Sequence, residues 1–450
     1  TRLMADLSAP TGSDPTLPEL LRTHPQLSMT PTSGLMFEGV ALNAIADAVG
    51  TPCWVMGAGT FKHRLRRMDQ AMRDAGLDVA LHYAVKANDH LALLSLVGRE
   101  GHGADIVSGG ELARTQKAGI PAARVVFSGV GKTDAELEQA IALDVGQINV
   151  ESAEELDIIS AIATRLGRTA RVTLRVNPDV DAKTHAKITT GLAANKFGIA
   201  FDDAAALYAR AASLPGIEAR GFATHIGSQI LSTGPYRAAY ARVAELVRFV
   251  RAAGQRVTHV DCGGGLGIAY RAEAEGQPEA LAAAIRAELG DLEVKLAIEP
   301  GRWLAGPSGV LLSSVILRKE HGMQTPFVVT DAAMNDLLRP SMYDAWHGIL
   351  PLAPHSLAQP CAPTHVVGPV CESGDTFARD RALPPLPRGA RIAILDTGAY
   401  GAVMSSTYNS RPLASEVLVE DGEWTVIRRR QTVEELWQDE TVPAFTGGTM

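Results

Sequence analysis

The sequence predicts an α/β fold in which a (β/α)₈ barrel is followed by a second, mainly β domain. Between about residues 57 and 310, short apolar stretches rich in β-branched residues alternate with Ala- and Leu-rich stretches of helical periodicity. Eight consecutive β–α units favour a closed barrel over an open, doubly wound sheet. The predicted barrel strands are Val79–Val85, Ala104–Val107, Arg124–Phe127, Gln147–Val150, Arg171–Val176, Ala219–His225, Val257–Asp261 and Val294–Glu299.

The pattern changes after residue 310, where helical periodicity thins out and short strand-like segments lie between Gly- and Pro-rich turns. These segments are Phe327–Thr330, His365–Val370, Arg391–Leu395, Ser415–Val419 and Thr425–Arg428. We expect a flexible arm, rich in Pro, Thr and Ser, over residues 1–34. Residues 35–57 are expected to join the β domain, 58–310 to form the barrel and 311–450 to form the C-terminal β domain.

The composition of the 450 residues excludes several functional classes. A net charge of −8 argues against nucleic acid as a general partner, because phosphate binding requires concentrated Lys and Arg. The sequence contains no apolar run of the roughly 18 residues needed to cross a bilayer. The four cysteines form no C-x-x-C pair, so we predict no metal site. So few cysteines in a chain of this size fit a reducing compartment, and we expect a cytoplasmic protein.

Candidate functional residues follow the predicted strands, where a barrel collects its reactive groups. They are Lys86, Asp105, His225, the glycines after Asp261, and Glu299. Residues two positions apart share a face of a strand, and each polar side chain here lies above a small residue. Those small residues are Ala84, Gly103, Ala223 and Ala297. This pattern predicts room above the barrel core for a flat ligand surrounded by polar groups.

Lys86 and the glycine run each allow two interpretations. A lysine facing the barrel interior is desolvated, which lowers its pKa and favours Schiff-base chemistry. By position alone, Lys86 could equally be a strand-end lysine that reaches solvent. Backbone amides of Gly263, Gly264 and Gly265 could approach a phosphate, but a tight turn would use the same residues.

The ends of the sixth and eighth strands are similarly ambiguous. Glu299 could hold a protonated ring nitrogen, or it could form an ion pair with Arg302. His225 could stack on a ring and Ser228 could bind a phosphate, whereas a lone His is more often structural. In the β domain, Cys371 is either a functional thiol beside Glu372 or a buried, inert cysteine.

Seven segments together resemble the barrel-type pyridoxal-phosphate (PLP) decarboxylases, the family of the ornithine, arginine and diaminopimelate decarboxylases. The resemblance extends from about residue 35 to 430, and the segments occur in the family's order. They are Tyr83–Asn88, Ala104–Leu112, His225–Gln229, Gly263–Gly265, Glu299–Arg302, Cys371–Asp375 and Gly398–Tyr400.

The resemblance implies how PLP is held. Lys86 would bind it covalently, His225 would stack on its ring, and Glu299 would pair with its ring nitrogen. Asp105 and Glu111 would be supporting residues. The phosphate would be bound by Ser228 and the backbone around Gly263, Gly264, Gly265 and Gly301, with Tyr400 close by, and Arg302 would be a further cofactor-binding residue.

The resemblance also implies the reaction and a homodimer with shared active sites. A carboxylate at the ring nitrogen keeps the ring a strong electron sink, so Glu299 favours decarboxylation. The related racemases place an arginine there. Cys371, from the second subunit, would protonate the carbon that loses CO₂.

The substrate is expected to be an amino acid with a zwitterionic far end. Arginines can clamp a carboxylate and an acid can bind an ammonium group. The residues available are Arg302, Arg339, Tyr343, Glu372 and Tyr400. Residues 334–343 are similar to the diaminopimelate branch in particular, as are Gly191-Leu192 and Asn195–Gly198. This branch converts meso-2,6-diaminopimelate to L-lysine and CO₂ in the last step of lysine biosynthesis.

Other substrates and a non-catalytic role remain alternatives. Carboxynorspermidine, D-lysine and D-ornithine have related far ends, and Asp181–Lys187 and Trp303 are where a difference would lie. Trp303 is bulkier than expected there and could crowd the site or pack behind it. A non-catalytic PLP-binding or regulatory homologue is opposed by the presence of Lys86, Glu299 and Cys371 together.

Overall fold

The computed structural model describes residues 14–181, 196–320, 322 and 324–444. These residues divide into two compact units. The barrel unit contains the described residues up to Gln26, Gly57–Gly309 and Leu395–Val403. The sheet unit contains Leu27–Met56, Val310–Ile394 and the described residues from Met404 onward. Leu395–Val403 was expected in the β domain but groups with the barrel.

The described part of the expected N-terminal arm contains regular structure. Helix α1 (Leu17–Thr23) begins with a capping box, in which the side chains of Thr16 and Glu19 bind each other's backbone amides. Leu17 and Leu20 on this helix are buried. Within the sheet unit follow β1 (Leu27–Thr30), β2 (Gly34–Phe37), β3 (Val40–Ala41), α2 (Leu42–Val49) and β4 (Cys53–Gly57). Composition had suggested a loose segment, but a local cap and two apolar side chains specify the helix.

Helix α1 is followed by a buried ion pair within the barrel unit. His24 Nε2 lies 2.9 Å from Asp396 Oδ2, and His24 Nδ1 lies 2.7 Å from the carbonyl oxygen of Leu20. Both partners of the ion pair are almost completely buried. This contact explains why residues near 24 and near 396 belong to one unit.

The barrel unit alternates strands and helices as the sequence predicts. Its elements are α3 (Ala58–Asp74), β5 (Val79–Ala84), α4 (Leu91–Arg99), β6 (Gly103–Ile106), α5 (Gly109–Lys117), β7 (Val125–Phe127), α6 (Asp134–Ala142), β8 (Gln147–Val150), α7 (Ala153–Arg165), β9 (Ala170–Asn177), β10 (Ile199–Ala200), α8 (Ala204–Ser213), β11 (Ile217–Ala223), α9 (Gly234–Ala252), β12 (His259–Asp261), α10 (Pro278–Leu289), β13 (Lys295–Ile298) and α11 (Arg302–Ala305).

The predicted closed barrel is confirmed. Among the described residues, β5, β6, β7, β8, β9, β11, β12 and β13 pair in parallel, and the β8–β9 pairing completes the ring. Ala84 is in register with Asp105, and Ala223 is in register with Asp261. The carboxyl ends of these strands therefore lie at one level, which brings the strand-end residues of the sequence analysis to the same mouth.

The sheet unit continues from the barrel with mainly β structure. Its remaining elements are β14 (Gly309–Lys319), β15 (Phe327–Thr330), α12 (Arg339–Tyr343), β16 (Ile349–Pro351), β17 (Ala362–Val367), β18 (Thr376–Leu383), β19 (Arg391–Ile394), β20 (Ser415–Glu420) and β21 (Glu423–Arg428). The described strands of the main sheet have the order β18-β17-β15-β14-β4-β20-β21, and β19 pairs with β14 and β16.

Three of these strands escaped prediction, namely β14, β16 and β18. Strand β18 carries Arg379, Asp380 and Arg381, a charged run that resembles a loop. Arg381 is nevertheless buried, because it donates to the carbonyl oxygen of His347 (2.7 Å) and lies over the ring of Trp346. Within the described part of the chain, no helix has the length and apolar character needed to span a membrane.

The His24–Asp396 ion pair predicts a pH-dependent stability. Burial lowers the pKa of His24, but Asp396, helped by Leu20 and Glu275, outweighs it and raises the pKa from 6.5 to about 9. The stabilisation is therefore complete below pH 6.5 and is lost as the pH rises through about 9. His24→Gln should reduce the free energy of unfolding by about 1–3 kcal/mol near pH 6.5.

Urea denaturation of both proteins between pH 6 and 10 measures this difference. It should shrink steadily toward high pH, while His63→Gln, at an exposed position on α3, should leave stability unchanged. A difference that is independent of pH would contradict the assigned ion pair.

Candidate active site

A cavity of about 170 Å³ opens at the carboxyl ends of the barrel strands. Its wall includes Lys86, His225 and Glu299, three of the residues predicted from strand ends. The sequence analysis did not identify the other polar residues of the wall, which are Ser128, Asn149, Arg175 and Thr224. The barrel therefore brings the predicted groups together and adds hydrogen-bonding groups from the strands between them.

Lys86 is the nucleophile available in this cavity. Its Nζ lies 3.4 Å from Asp105 Oδ2, and about a third of the side chain is exposed. Burial lowers the pKa of Lys86, but the charges of Asp105, Tyr400 and Glu299 more than compensate and raise it. The expected lowering of this pKa by desolvation was wrong, because that expectation ignored the acids around the amine. Lys86 is therefore an ammonium group until a proton is removed from it.

A buried hydrogen-bond network fixes the two acids nearest to Lys86. Ser128 Oγ donates to Asp105 Oδ1 at 2.6 Å, and Asn149 Nδ2 lies 3.0 Å from Ser128 Oγ and 3.4 Å from Glu299 Oε1. Thr173 Oγ1 donates to Asn149 Oδ1 at 2.5 Å. Since every member is buried, the network holds Asp105 and Glu299 in one arrangement.

Glu299 belongs to a second buried acidic pair. Burial, then the charges of Asp105 and Asp261, raise the pKa of Glu299 well above its ordinary value, and burial likewise raises the pKa of Asp261. Gln147 Nε2 donates to Asp261 Oδ2 at 2.9 Å. The raised pKa makes Glu299 bind a proton more readily than an ordinary carboxyl group does, so Glu299 can share a proton with a basic ring nitrogen placed against it.

His225 presents a neutral, flat ring to the cavity. Burial, with the charges of Lys86 and Arg175, lowers the pKa of His225 far below its ordinary value. The backbone amide of Gly264 lies 3.1 Å from Nδ1, which leaves Nδ1 as an acceptor. The ring therefore stays uncharged and can stack on another aromatic ring.

The glycine run is required by close backbone packing. A Cβ on Gly263 would lie 2.1 Å from the carbonyl oxygen of Thr224, and one on Gly264 would lie 2.0 Å from that of Glu299. The run thus joins the ends of β11 and β13. Within the described residues, the amide of Gly265 has no hydrogen-bond partner and remains available to an anion.

Arg302 organises the remaining predicted anion-binding residues. Its Nε and Nη2 donate to Ser228 Oγ at 3.2 and 3.0 Å, and its Nη1 donates to Tyr270 Oη at 2.7 Å. The guanidinium lies 4.7 Å from the ring centroid of Tyr400. The backbone amide of Tyr400 donates to the carbonyl oxygen of Ala87 at 2.7 Å, next to Lys86. Gly301 approaches the same strand end, where a Cβ on it would lie 3.0 Å from the Cβ of Ala84.

Trp303 packs behind the site and does not line the cavity. The side chain is completely buried, and its Nε1 donates to the carbonyl oxygen of Gly276 at 2.8 Å. The guanidinium of Arg64 lies 3.7 Å from the centre of its ring. Trp303 therefore packs behind the site, as one of its two interpretations predicted, and does not crowd the cavity.

The predicted residues of the sheet unit form their own cluster. Cys371 is exposed, which excludes the interpretation of a buried, inert thiol. Tyr408 Oη donates to Glu372 Oε1 at 2.7 Å, and Asn409 Oδ1 lies 3.4 Å from the backbone amide of Cys371. An exposed thiol and carboxylate are thus held side by side on this unit.

Arg339 and Tyr343 lie on the short helix α12 of the same unit. Arg339 is buried with its Nη1 2.8 Å from His347 Nε2, so it is not the surface ion pair that position alone could suggest. Tyr343 is half-buried. Some segments tied to substrate choice lie outside the described residues. They are Gly191-Leu192, Asn195 and the part of Asp181–Lys187 that follows Asp181.

The missed residues of the cavity carry a signal in the sequence. Along β9, the polar Thr173, Arg175 and Asn177 alternate with apolar residues. Period-2 alternation in a parallel strand indicates a polar barrel interior, since such strands are normally apolar on both faces. Arg175 could have been found in this way.

The cavity fits PLP by the chemistry of its groups. It offers the amine of Lys86, the neutral imidazole of His225 and the buried carboxyl group of Glu299 beside a glycine run. Thr224 lines the cavity, and its Oγ1 is buried and has no hydrogen-bond partner among the described residues. A polar atom of a bound cofactor could complete its hydrogen bonding. The described residues contain no group of His, Cys, Asp and Glu that could hold a metal ion.

Comparison with known proteins agrees with this chemistry. Residues 58–306 match the family described as pyridoxal-dependent decarboxylase, pyridoxal binding domain. The chain is 45% identical to a diaminopimelate decarboxylase of Zymomonas mobilis, over 90% of this chain and 96% of that protein. It is 46% identical to one of Pseudomonas aeruginosa, over 91% and 97%.

A solved structure extends the comparison to the fold. Diaminopimelate decarboxylase from Helicobacter pylori, complexed with L-lysine, superimposes with a TM-score of 0.85 at 40% identity, covering 88% of this chain and 98% of that one. The barrel, the cavity and the full-length similarity lead to one assignment. The chain belongs to the pyridoxal-dependent decarboxylase family, among the diaminopimelate decarboxylases.

Proposed function

We propose that the protein catalyses the PLP-dependent decarboxylation of meso-2,6-diaminopimelate to L-lysine and CO₂, the last step of lysine biosynthesis. The observation that carries this proposal is its similarity to diaminopimelate decarboxylases over 96–97% of their length. The cavity around Lys86 and Glu299 supports the same chemistry independently of that similarity.

The barrel residues would bind and polarise the cofactor. We assign Lys86 to covalent attachment, His225 to stacking and Glu299 to the ring nitrogen. When bound, PLP supplies the electron sink for the electron pair left by departing CO₂. Asp105, fixed by Ser128, orients the Lys86 amine. The phosphate is assigned to Ser228, Gly263, Gly264, Gly265, Gly301 and Arg302, with Tyr400 beside them.

Glu299 would set the charge of the bound ring. Because burial and two neighbouring acids raise the pKa of its carboxyl group, Glu299 can share a proton with a ring nitrogen and pair with that nitrogen as a carboxylate. His225 stays neutral and adds no competing charge on the ring face. Together these two residues favour loss of CO₂.

We assign recognition of the substrate's far end to Arg302, Arg339, Tyr343, Glu372 and Tyr400. The exposed Glu372 carboxylate, held by Tyr408, suits an ammonium group. Arg302 is already bonded to Ser228 and Tyr270, so it would bind a carboxylate from a fixed position.

We propose further that the enzyme is a cytoplasmic homodimer in which Cys371 of one subunit donates a proton to the substrate carbon in the other. The exposure of Cys371 and Glu372 on the sheet unit supports a role toward another chain. Four free cysteines fit a reducing compartment.

A substrate panel tests the proposed reaction. Purified protein with PLP should release CO₂ and L-lysine from meso-diaminopimelate faster than it acts on carboxynorspermidine, D-lysine or D-ornithine. Lys86→Ala should lose both turnover and the visible absorbance of covalently bound cofactor, because the attaching amine is gone. Lys117→Ala, on the exposed side of α5, is the matched control and should retain both. Preference for another panel member would contradict the proposed substrate.

Mixing two inactive variants tests the shared active site. Lys86→Ala and Cys371→Ala should each have little activity alone. After exchange of subunits, activity should recover to about a quarter of wild type, since half of the dimers are mixed and each has one complete site. Product formation in the mixture measures this recovery. Mixtures that exchange subunits and stay as inactive as the separate variants would show that Cys371 acts within its own subunit, whereas an active Cys371→Ala variant would show that it has no catalytic role.

A further inference from the structure

Arg175 is a buried cation on the wall of the cavity that none of the roles above uses. It lies on β9 with 8% of its surface exposed. Its Nη1 donates to Glu151 Oε1 at 2.7 Å, and its guanidinium lies 4.9 Å from the ring centroid of Phe197. Within the described residues, Nε and Nη2 have no hydrogen-bond partner. Of the five N–H groups of this guanidinium, the three on Nε and Nη2 are therefore available to a molecule in the cavity, besides the second N–H of Nη1.

A chain of buried charges fixes this guanidinium from behind. Glu151 Oε2 accepts from the amide of Gly198 at 2.6 Å, and the amide of Glu151 donates to Glu155 Oε2 at 2.6 Å. Glu155 Oε1 accepts in turn from the fully buried ammonium group of Lys132 at 2.7 Å. Both oxygens of Glu151 are thus bonded, so Glu151 holds the guanidinium of Arg175 from a fixed position.

The unused Nε and Nη2 of Arg175 are not sealed off from solvent, so a molecule bound in the cavity can replace water as their hydrogen-bond partner. Glu151 compensates the charge, but it occupies only one edge of the planar group. Arg175 lines the same cavity as Lys86 and His225. Arginine donors in a dry site select oxygen atoms that carry negative charge.

We propose that Arg175 binds an anionic oxygen of the molecules that react in this cavity. This inference rests on the proposed function, because that function supplies two sources of such an oxygen. One is the ring hydroxyl oxygen of the cofactor, and the other is the carboxylate of the amino-acid substrate. In either case Arg175 is a binding residue in direct contact with a reactant.

Two measurements separate the two sources. The dissociation constant of PLP from the apoprotein, and the pH dependence of the visible absorbance, are read without substrate. The KM for substrate is read with cofactor at saturation. Arg175→Met removes all donors while keeping a long apolar side chain, and we expect a loss of roughly 10- to 100-fold in one of these constants.

A weaker PLP complex with a shifted absorbance titration assigns the cofactor oxygen. A raised KM with unchanged PLP binding assigns the substrate carboxylate. Arg242→Met is the matched control, because Arg242 also lies over a phenyl ring, 4.3 Å from that of Phe201, but not on the cavity wall. Constants for Arg175→Met that equal those of this control would overturn the proposal.

Arg175→Lys covers the case in which the methionine variant does not fold. Lysine retains the charge beside Glu151 but removes the planar donors that face the cavity. The proposal predicts a loss in the same constant, and wild-type constants for a folded Arg175→Lys protein would overturn it. Failure of the proposed function would be distinguishable from failure of the Arg175 proposal. In that case the wild-type protein itself would not turn over meso-diaminopimelate.

Discussion

Lys86 lies in a barrel interior that also buries the carboxyl groups of Asp105 and Glu299, and the arrangement of the cavity follows from these charges. The charge of Asp105 raises the pKa of the amine, while burial and the charges of Asp105 and Asp261 raise the pKa of Glu299. Charged groups are stable in a dry interior only when they are paired. The polar network through the barrel supplies that pairing and makes the site rigid before any ligand arrives.

The barrel and much of its site could be predicted because parallel strands are short, apolar and end at one level. Lys86, His225 and Glu299 were found at strand ends, and all three line the cavity. Arg175 was missed because the strand search looked for apolar runs and not for alternation. The direction of the pKa shift of Lys86 was also missed, since it depends on acids that other strands contribute.

Features that depend on contacts between distant residues were beyond prediction from local patterns. The pairing of His24 with Asp396 joins residues 372 positions apart and places the described N-terminal residues in the barrel unit. Strand β18 looked like a loop because the partners of Arg381 are not near it in sequence. The residues next to Cys371 and Glu372 in the sequence did not indicate a catalytic or binding role for them. Only the family resemblance suggested such a role.

The most direct test of the account is to locate the bound cofactor. Reduction of the PLP-loaded protein with borohydride fixes the cofactor to its lysine, and mass spectrometry of the proteolytic peptides identifies that residue. The account predicts the added mass on the peptide that contains Lys86 and on no other. Modification of a different lysine, or of none, would contradict the assignment of this cavity as the reaction centre.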